Sequence, residues 1–228
     1  MRDLFLLPFA GGTSLTYEEW KFDSEINVFP LDYKGHGFRM REPLYVSFEE
    51  MVKDIADQIE KLRSNYAISI FGHSMGGLVA WDVANLLVQR GICVTNIFVS
   101  ACLPPHIFDE SRYKEMATDN WLNDFLTEYS RIKIERTHSR YYRKNIFPAI
   151  KNDYRLISIH KHENIKKMNF NIASFIGEND YLMPSNGMEL WGDYTTGKFM
   201  IRKFVGSHFY IEDKRNQGLI TKTIEENI

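Results

Sequence analysis

Ser74, Asp180 and His208 stand far apart in the chain, yet their residue types and neighbours suit one chemistry, nucleophilic attack on an acyl group. Ser74 lies in Phe71-Gly72-His73-Ser74-Met75-Gly76-Gly77, a G-x-S-x-G run that joins an apolar stretch to an amphipathic one. Before it, Ala67-Ile68-Ser69-Ile70-Phe71 predicts a buried strand. After it, Leu78, Val79, Trp81, Val83, Leu86 and Leu87 predict a helix with a broad apolar face, closed by Gly91. A sharp strand-to-helix turn of this kind projects the serine Oγ from the carboxyl edge of a sheet and aims new helix N–H groups at a developing oxyanion. Without that context the motif carries little weight, because G-x-S-x-G also arises in ordinary glycine-rich loops.

A serine hydroxyl is a weak nucleophile until a base removes its proton, and the base needs an acid partner to fix its tautomer. Asp180 follows a predicted strand in Gly177-Glu178-Asn179-Asp180-Tyr181-Leu182-Met183-Pro184, and His208 follows the next one in Val205-Gly206-Ser207-His208-Phe209. Serine, acid, histidine is the chain order of α/β-hydrolases. Aspartates in such loops are also plain turn formers, and Glu178 is a rival acid two residues away. Of the 7 histidines, only His208 sits both after the last strand and beside a glycine. His160 and His162 have no carboxylate or cysteine companion at ligand spacing, so no metal is expected. His73 is read as structural. For the oxyanion, the N–H of Met75 is the first expected donor, and the loop Phe9-Ala10-Gly11-Gly12 supplies the second, from Ala10 or its neighbour Phe9.

The elements that must position these groups alternate along the chain. Predicted strands are Leu4 to Pro8, Ile26 to Leu31, the elbow strand, Asn96 to Ala101, Asn171 to Ile176 and Phe199 to Phe204. A helix opens at the capping box Ser47-Phe48-Glu49-Glu50, with Met51, Ile55, Ile59 and Leu62 on its core face, and Leu219 to Ile228 reads as a closing helix. The pattern predicts an α/β fold with a mainly parallel sheet covered on both faces. Between Pro104 and about Met168 the alternation gives way to helical patterning: Trp121, Leu122, Phe125 and Leu126 share one apolar face, and Ile146, Phe147, Ile150, Tyr154 and Ile157 another. The segment reads either as a lid over the site or as a packed helical layer. The 228 residues fit one α/β domain, 1–228, with this insertion at about 104–168.

Composition narrows the functional classes. A formal net charge of -2 gives no global signal for nucleic acid or membrane, and no run approaches the roughly 18 apolar residues of a transmembrane helix. Two cysteines, Cys93 and Cys102, and a chain opening directly on a strand lead to the expectation of a reducing cytoplasm.

Taken together, these residues resemble the type II thioesterases, the free-standing editing thioesterases of nonribosomal peptide and polyketide synthesis. The likeness runs nearly end to end: Leu6-Leu7-Pro8-Phe9-Ala10-Gly11-Gly12, the elbow, Glu42-Pro43, Gly177 to Pro184, and Gly206-Ser207-His208-Phe209. The resemblance implies an α/β-hydrolase fold with a helical lid. It also implies hydrolysis of acyl or aminoacyl groups from the phosphopantetheine arm of carrier proteins, with no cofactor of the enzyme's own. One loop departs: the family usually carries Pro-Gly-Arg-Gly where this chain has Lys34-Gly35-His36-Gly37, which is nearer to general esterases of the same fold. A small-molecule carboxylesterase is therefore the rival enzyme, and a binding subunit with a vestigial site the rival of another class. The basic run Arg131 to Lys144 reads as a solvated helix face or, less readily, as a docking face for an acidic carrier domain.

Overall fold

The computed structural model describes residues 2–64, 67–107, 110–128, 139–160, 167–184 and 186–228. Six strands, β1 (Arg2–Leu7), β2 (Ile26–Pro30), β3 (Ile68–His73), β4 (Val94–Ser100), β5 (Asn171–Gly177) and β6 (Phe199–Phe204), form one parallel sheet in the order β2-β1-β3-β4-β5-β6. β3, which leads to Ser74, lies between β1 and β4. Loops gathering at the carboxyl ends of parallel strands make the ligand crevice of such sheets, so the topology delivers all three polar candidates to one edge.

Side-chain alternation splits the core between the two faces. Phe5, Leu7, Ile68, Ile70, Ile97, Val99 and Ile172 point one way, onto α1 (Phe48–Leu62) and α2 (Met75–Gln89). Leu4, Leu6, Phe71, Phe98 and Phe175 point the other way, where Ile220 and Ile224 of the C-terminal helix cover them. A strand buried on both faces reads as a continuous apolar run, as Leu4-Phe5-Leu6-Leu7 does.

Helix ends follow local chemistry. The Ser47 side chain accepts from Glu50 N–H, but Glu50 returns its carboxylate to Val46 N–H, one residue before the partner a standard capping box uses, and its other oxygen holds Lys34 Nζ at 2.8 Å. α2 closes as expected: Gly91 N–H donates to Val88 O and Ile92 N–H to Leu87 O, the paired bonds of a Schellman motif. Two expectations shift. Leu62, placed on the core face of α1, is 44% exposed, because the chain leaves the helix at Arg63. The C-terminal helix starts five residues early, at Lys214, because Asp213 caps it by accepting from Arg215 N–H; Gly218 sits inside the helix with open space around it.

Between β4 and β5 the described residues are helical, in keeping with the pattern. A 3-10 turn (Pro105–Ile107), α3 (Glu110–Met116), α4 (Asp119–Glu128), a π-helical turn (Tyr142–Ile146) and α5 (Phe147–Ile159) follow one another, and α3 packs on α5. Leu122, Phe125, Ile150, Tyr154 and Ile157 are buried, whereas Trp121, Ile146 and Phe147 are partly so; the side chain of Leu126 lies outside the described residues. α6 (Lys214–Glu225) ends the fold. Among the described residues no helix is long and apolar enough to cross a membrane, and both cysteines are free thiols, Cys93 exposed and Cys102 buried.

Candidate active site

β3 ends at His73 and α2 begins at Met75, so Ser74 alone makes the turn, with φ 53° and ψ -118°. That region is costly for any residue with a Cβ, by roughly 1–3 kcal/mol, and the surroundings must impose it. Ser74 N–H donates to Ser100 O at 2.7 Å, which locks the elbow to β4, and Gly77 N–H donates to Ser74 O at 2.9 Å. The two glycines flanking the turn touch backbone to backbone: a Cβ at Gly72 would run into the Gly76 carbonyl, and one at Gly76 into the carbonyls of Leu7 and Pro8. Gly72→Ala is accordingly expected to remove more than about 3 kcal/mol of unfolding free energy, because backbone cannot yield as a side-chain tip does. Guanidinium unfolding measures it, and a loss below 1 kcal/mol, on the order of a surface change, would contradict this account.

The structure brings the three predicted residues into one hydrogen-bonded line. His208 Nε2 is 3.1 Å from Ser74 Oγ, and His208 Nδ1 is 2.9 Å from Asp180 Oδ2. Asp180 and His208 are 6% and 5% exposed, so the pair is held out of water. The other carboxylate oxygen, Oδ1, accepts from Leu182 N–H at 3.0 Å, which fixes the rotation of the acid. A carboxylate only accepts, so Nδ1 carries the ring proton and Nε2 presents its lone pair to the serine hydroxyl. Such a line puts a base within reach of a nucleophile and orients the base from behind. Glu178, the rival acid, is exposed.

A second buried chain supports the first. His73 Nδ1 lies 2.7 Å from Ser100 Oγ, which lies 2.6 Å from the Tyr210 hydroxyl, linking the ends of β3 and β4 to the loop that carries His208. Burial, aided by the nearby positive potential of His208, pushes the His73 imidazole well below its ordinary value, so it stays neutral beside the His208 ring 5.3 Å away. The structural reading of His73 matches this placement. Phe9 and Phe209 pack edge to face at 5.1 Å, and Phe125 from α4 approaches Phe209 at 6.1 Å, so an aromatic wall from three segments flanks the histidine.

The loop after β1 is fastened from several sides. Gly12 N–H donates to Phe9 O, Tyr17 OH to Leu7 O and Tyr33 OH to Pro8 O; Ser14 N–H donates to Asp32 Oδ1 at 2.6 Å. Gly11 has φ +77°, and a Cβ there would sit 2.5 Å from Ile150 Cγ1, so only glycine fits beneath α5. Gly11 N–H donates to Asp153 Oδ2 at 2.8 Å. Ala10 and Phe9 belong to this loop, and Met75 N–H opens α2, where no intrahelical acceptor exists for it.

Asp153, His36, Asp32 and Tyr210 were not among the residues the sequence singled out for the site. For Asp153 a signal was present: it shares the spacing of Ile150, Tyr154 and Ile157, an acid on an apolar stripe. His160 turns away from ligand chemistry: its Nε2 meets Asp82 at 2.6 Å and its ring stacks on Phe48 at 4.0 Å. His162 lies outside the described residues, as do 131–138 of the basic run, whose remaining cations Arg140, Arg143 and Lys144 are exposed.

A parallel sheet with a serine elbow after a central strand, and acid and histidine loops after β5 and β6, defines an α/β-hydrolase. The sequence profile described as "Thioesterase domain" matches residues 2–228, and the chain belongs to the thioesterase family. It is similar to the thioesterase TesA of Mycobacterium marinum, 30% identical over 214 residues, covering 91% of this chain and 84% of that one. Among solved structures, ClbQ from the colibactin NRPS/PKS pathway superposes with a TM-score of 0.88 at 25% identity, covering 99% of this chain and 97% of that one. RedJ, a thioesterase from the prodiginine biosynthetic pathway in Streptomyces coelicolor, gives 0.89 at 26% identity over 100% of this chain and 85% of that one. The α/β-hydrolase fold and the thioesterase likeness expected from sequence both hold.

Proposed function

We propose that this chain is a type II thioesterase that hydrolyses acyl or aminoacyl thioesters from the phosphopantetheine arm of carrier proteins, through an acyl-enzyme on Ser74. The observation that carries the reading is the unbroken Ser74–His208–Asp180 line in a chain of the thioesterase family. His208 Nε2 takes the Ser74 proton as Oγ attacks the thioester carbonyl. The N–H groups of Met75 and Ala10 hold the oxyanion, and Asp180 keeps the ring oriented for the imidazolium that forms. Collapse expels the thiol, with the proton returned from His208. Water, deprotonated by the same nitrogen, then releases the acid and restores Ser74. A thiol with a pKa of about 8.5 leaves far more readily than an amine, so the proton transfer need not be driven as hard as in a protease. No step draws on a metal or cofactor.

Residues 104–168 are read as the lid of a single domain, 1–228, a reading supported by Phe125 against Phe209 and Ile150 against Gly11. The NRPS/PKS pathway of ClbQ and the prodiginine pathway of RedJ favour synthase-bound carriers as partners.

The test is direct. Turnover of an acylated carrier protein is compared with that of its matched oxygen ester, following free acid, with acyl-Ser74 sought by mass spectrometry. Preference for the carrier thioester by at least about tenfold in kcat/KM, some 1.4 kcal/mol of transition-state discrimination, is expected. Preference for the oxygen ester makes the chain a carboxylesterase of the same fold, and failure of a fluorophosphonate to label Ser74 makes it a binding subunit.

A further inference from the structure

Asp153 is a carboxylate on the apolar face of α5, 1% exposed among Ile150, Tyr154 and Ile157. Its Oδ2 accepts from Gly11 N–H at 2.8 Å and lies 3.0 Å from His36 Nε2, so one atom ties the helix to both the loop after β1 and the loop after β2. His36 is itself 5% exposed, and its Nδ1 lies 3.0 Å from Lys34 O. A carbonyl oxygen accepts only, so Nδ1 carries a proton. Nε2 faces a carboxylate, which also accepts only, so a neutral ring would turn a lone pair toward a negative oxygen. The site is built for an imidazolium. The Nε2 approach is off the hydrogen-bond line, which makes the attraction chiefly ionic.

The loop consequence follows from peptide geometry. Gly11 N–H lies in the same rigid plane as the Ala10 carbonyl, and only the two dihedrals of Ala10 separate that plane from the Ala10 N–H. Pinning Gly11 therefore aims Ala10.

We propose that the buried His36–Asp153 ion pair is a clasp that positions the Phe9-to-Gly12 loop for oxyanion binding, so that reaction rate depends on the charge of a second histidine remote from Ser74. The inference rests on the oxyanion role assigned to that loop. Asp153 and His36 are positioning residues and touch no reacting atom. Burial pulls the His36 imidazole pKa down, but Asp153 on α5, the Lys34 carbonyl and Asp32 in the loop after β2 outweigh it, and the net direction is upward. Among the described residues Tyr33, whose ring meets His36 edge-on at 6.0 Å, is a further titratable neighbour; burial raises it far above ordinary phenols, so it stays uncharged. With the folded value raised, the clasp is complete at low pH and is lost as pH climbs through that value. The alkaline fall of the rate profile belongs to His36.

The experiment uses the intact protein. In the wild type, the Gly11 amide resonance is expected to titrate with the His36 ring at one midpoint above the ordinary histidine value of about 6.5, and kcat to fall with that midpoint. Asp153→Ala is expected to lower kcat by about 10- to 100-fold, with KM nearly unchanged, as for a weakened oxyanion donor. Asp153→Asn keeps an oxygen at that one position to accept from Gly11 but removes the negative charge that favours the His36 imidazolium, so it is expected to restore much of kcat and to move the alkaline fall to lower pH. A Gly11 amide indifferent to His36 ionisation overturns the clasp even if the variants fail to fold; so does Asp153→Ala with wild-type kcat. If fluorophosphonate still labels Ser74 in either case, the clasp alone fails; if the wild type is never labelled, the functional reading fails instead.

Discussion

Ser74→Ala is expected to lower kcat/KM by about 10⁶-fold, roughly 8 kcal/mol of transition-state stabilisation. The figure is large because the line through His208 and Asp180 has no other terminus: without Oγ the imidazole has nothing to activate at the elbow. What survives is binding, oxyanion stabilisation and any direct attack by water, which together leave on the order of 10³-fold over the uncatalysed rate. The substitution is also clean. Alanine and serine share the same steric penalty at φ 53°, and the bonds that hold the turn, Ser74 N–H to Ser100 O and Gly77 N–H to Ser74 O, are backbone bonds that alanine keeps. Unfolding should therefore shift by less than about 1 kcal/mol. Intact-mass analysis after mixing with an acyl thioester should show an adduct on the wild type and none on the variant. Persistent turnover with full folding would remove Ser74 from the mechanism.

The sheet and the polar line were legible because each rests on local pattern. Leu4-Phe5-Leu6-Leu7 and Ile68-Ser69-Ile70-Phe71 are short apolar runs bounded by turn residues, and Phe199–Phe204 matches its predicted limits. Asp180 and His208 were found because their loops follow strands in a parallel sheet, where chain order maps onto position at one edge. The start of α1 at Ser47 was legible from its cap, whereas the start of the last helix was set five residues late, because Asp213 rather than the Leu219 apolar pattern marks where it begins.

What sequence could not supply was contact across the fold. Asp153 is 142 positions from Gly11 and 117 from His36, and nothing in their spacing pairs them. Asp153 could have been noticed as an acid on an apolar stripe, since a buried carboxylate needs a partner. Its partner could not have been named, because α5 joins the first two loops only once the insertion folds back over the sheet. The same holds for Tyr210 and Ser100, 110 positions apart, whose link behind His208 depends on β4 and the last loop meeting at the sheet edge. The departure Lys34-Gly35-His36-Gly37 was visible at once, but its sequence reading concerned substrate, whereas the structure turns His36 inward to a carboxylate.

Asp180→Asn is expected to lower kcat by about 10⁴-fold while leaving the fold intact, because the amide forces the wrong tautomer on His208. Leu182 N–H already donates to Oδ1 at 3.0 Å, so the asparagine oxygen is retained there and the amide nitrogen must face His208 Nδ1. A donor opposite Nδ1 demands a lone pair on that nitrogen, which moves the ring proton to Nε2, toward Ser74 Oγ. The serine then meets an N–H where it needs an acceptor, and its proton has no destination. Glu178→Gln is the matched control: the residue is exposed and two positions away, so its kcat should stay within about twofold of wild type, as surface changes do. Stopped-flow acylation with a chromogenic thioester separates the two, since the tautomer argument acts on Ser74 activation and so on acylation itself. A slow Glu178→Gln beside a fast Asp180→Asn would transfer the acid's role to the wrong side of the loop, and the hydrogen-bonded line would then be a feature of packing alone.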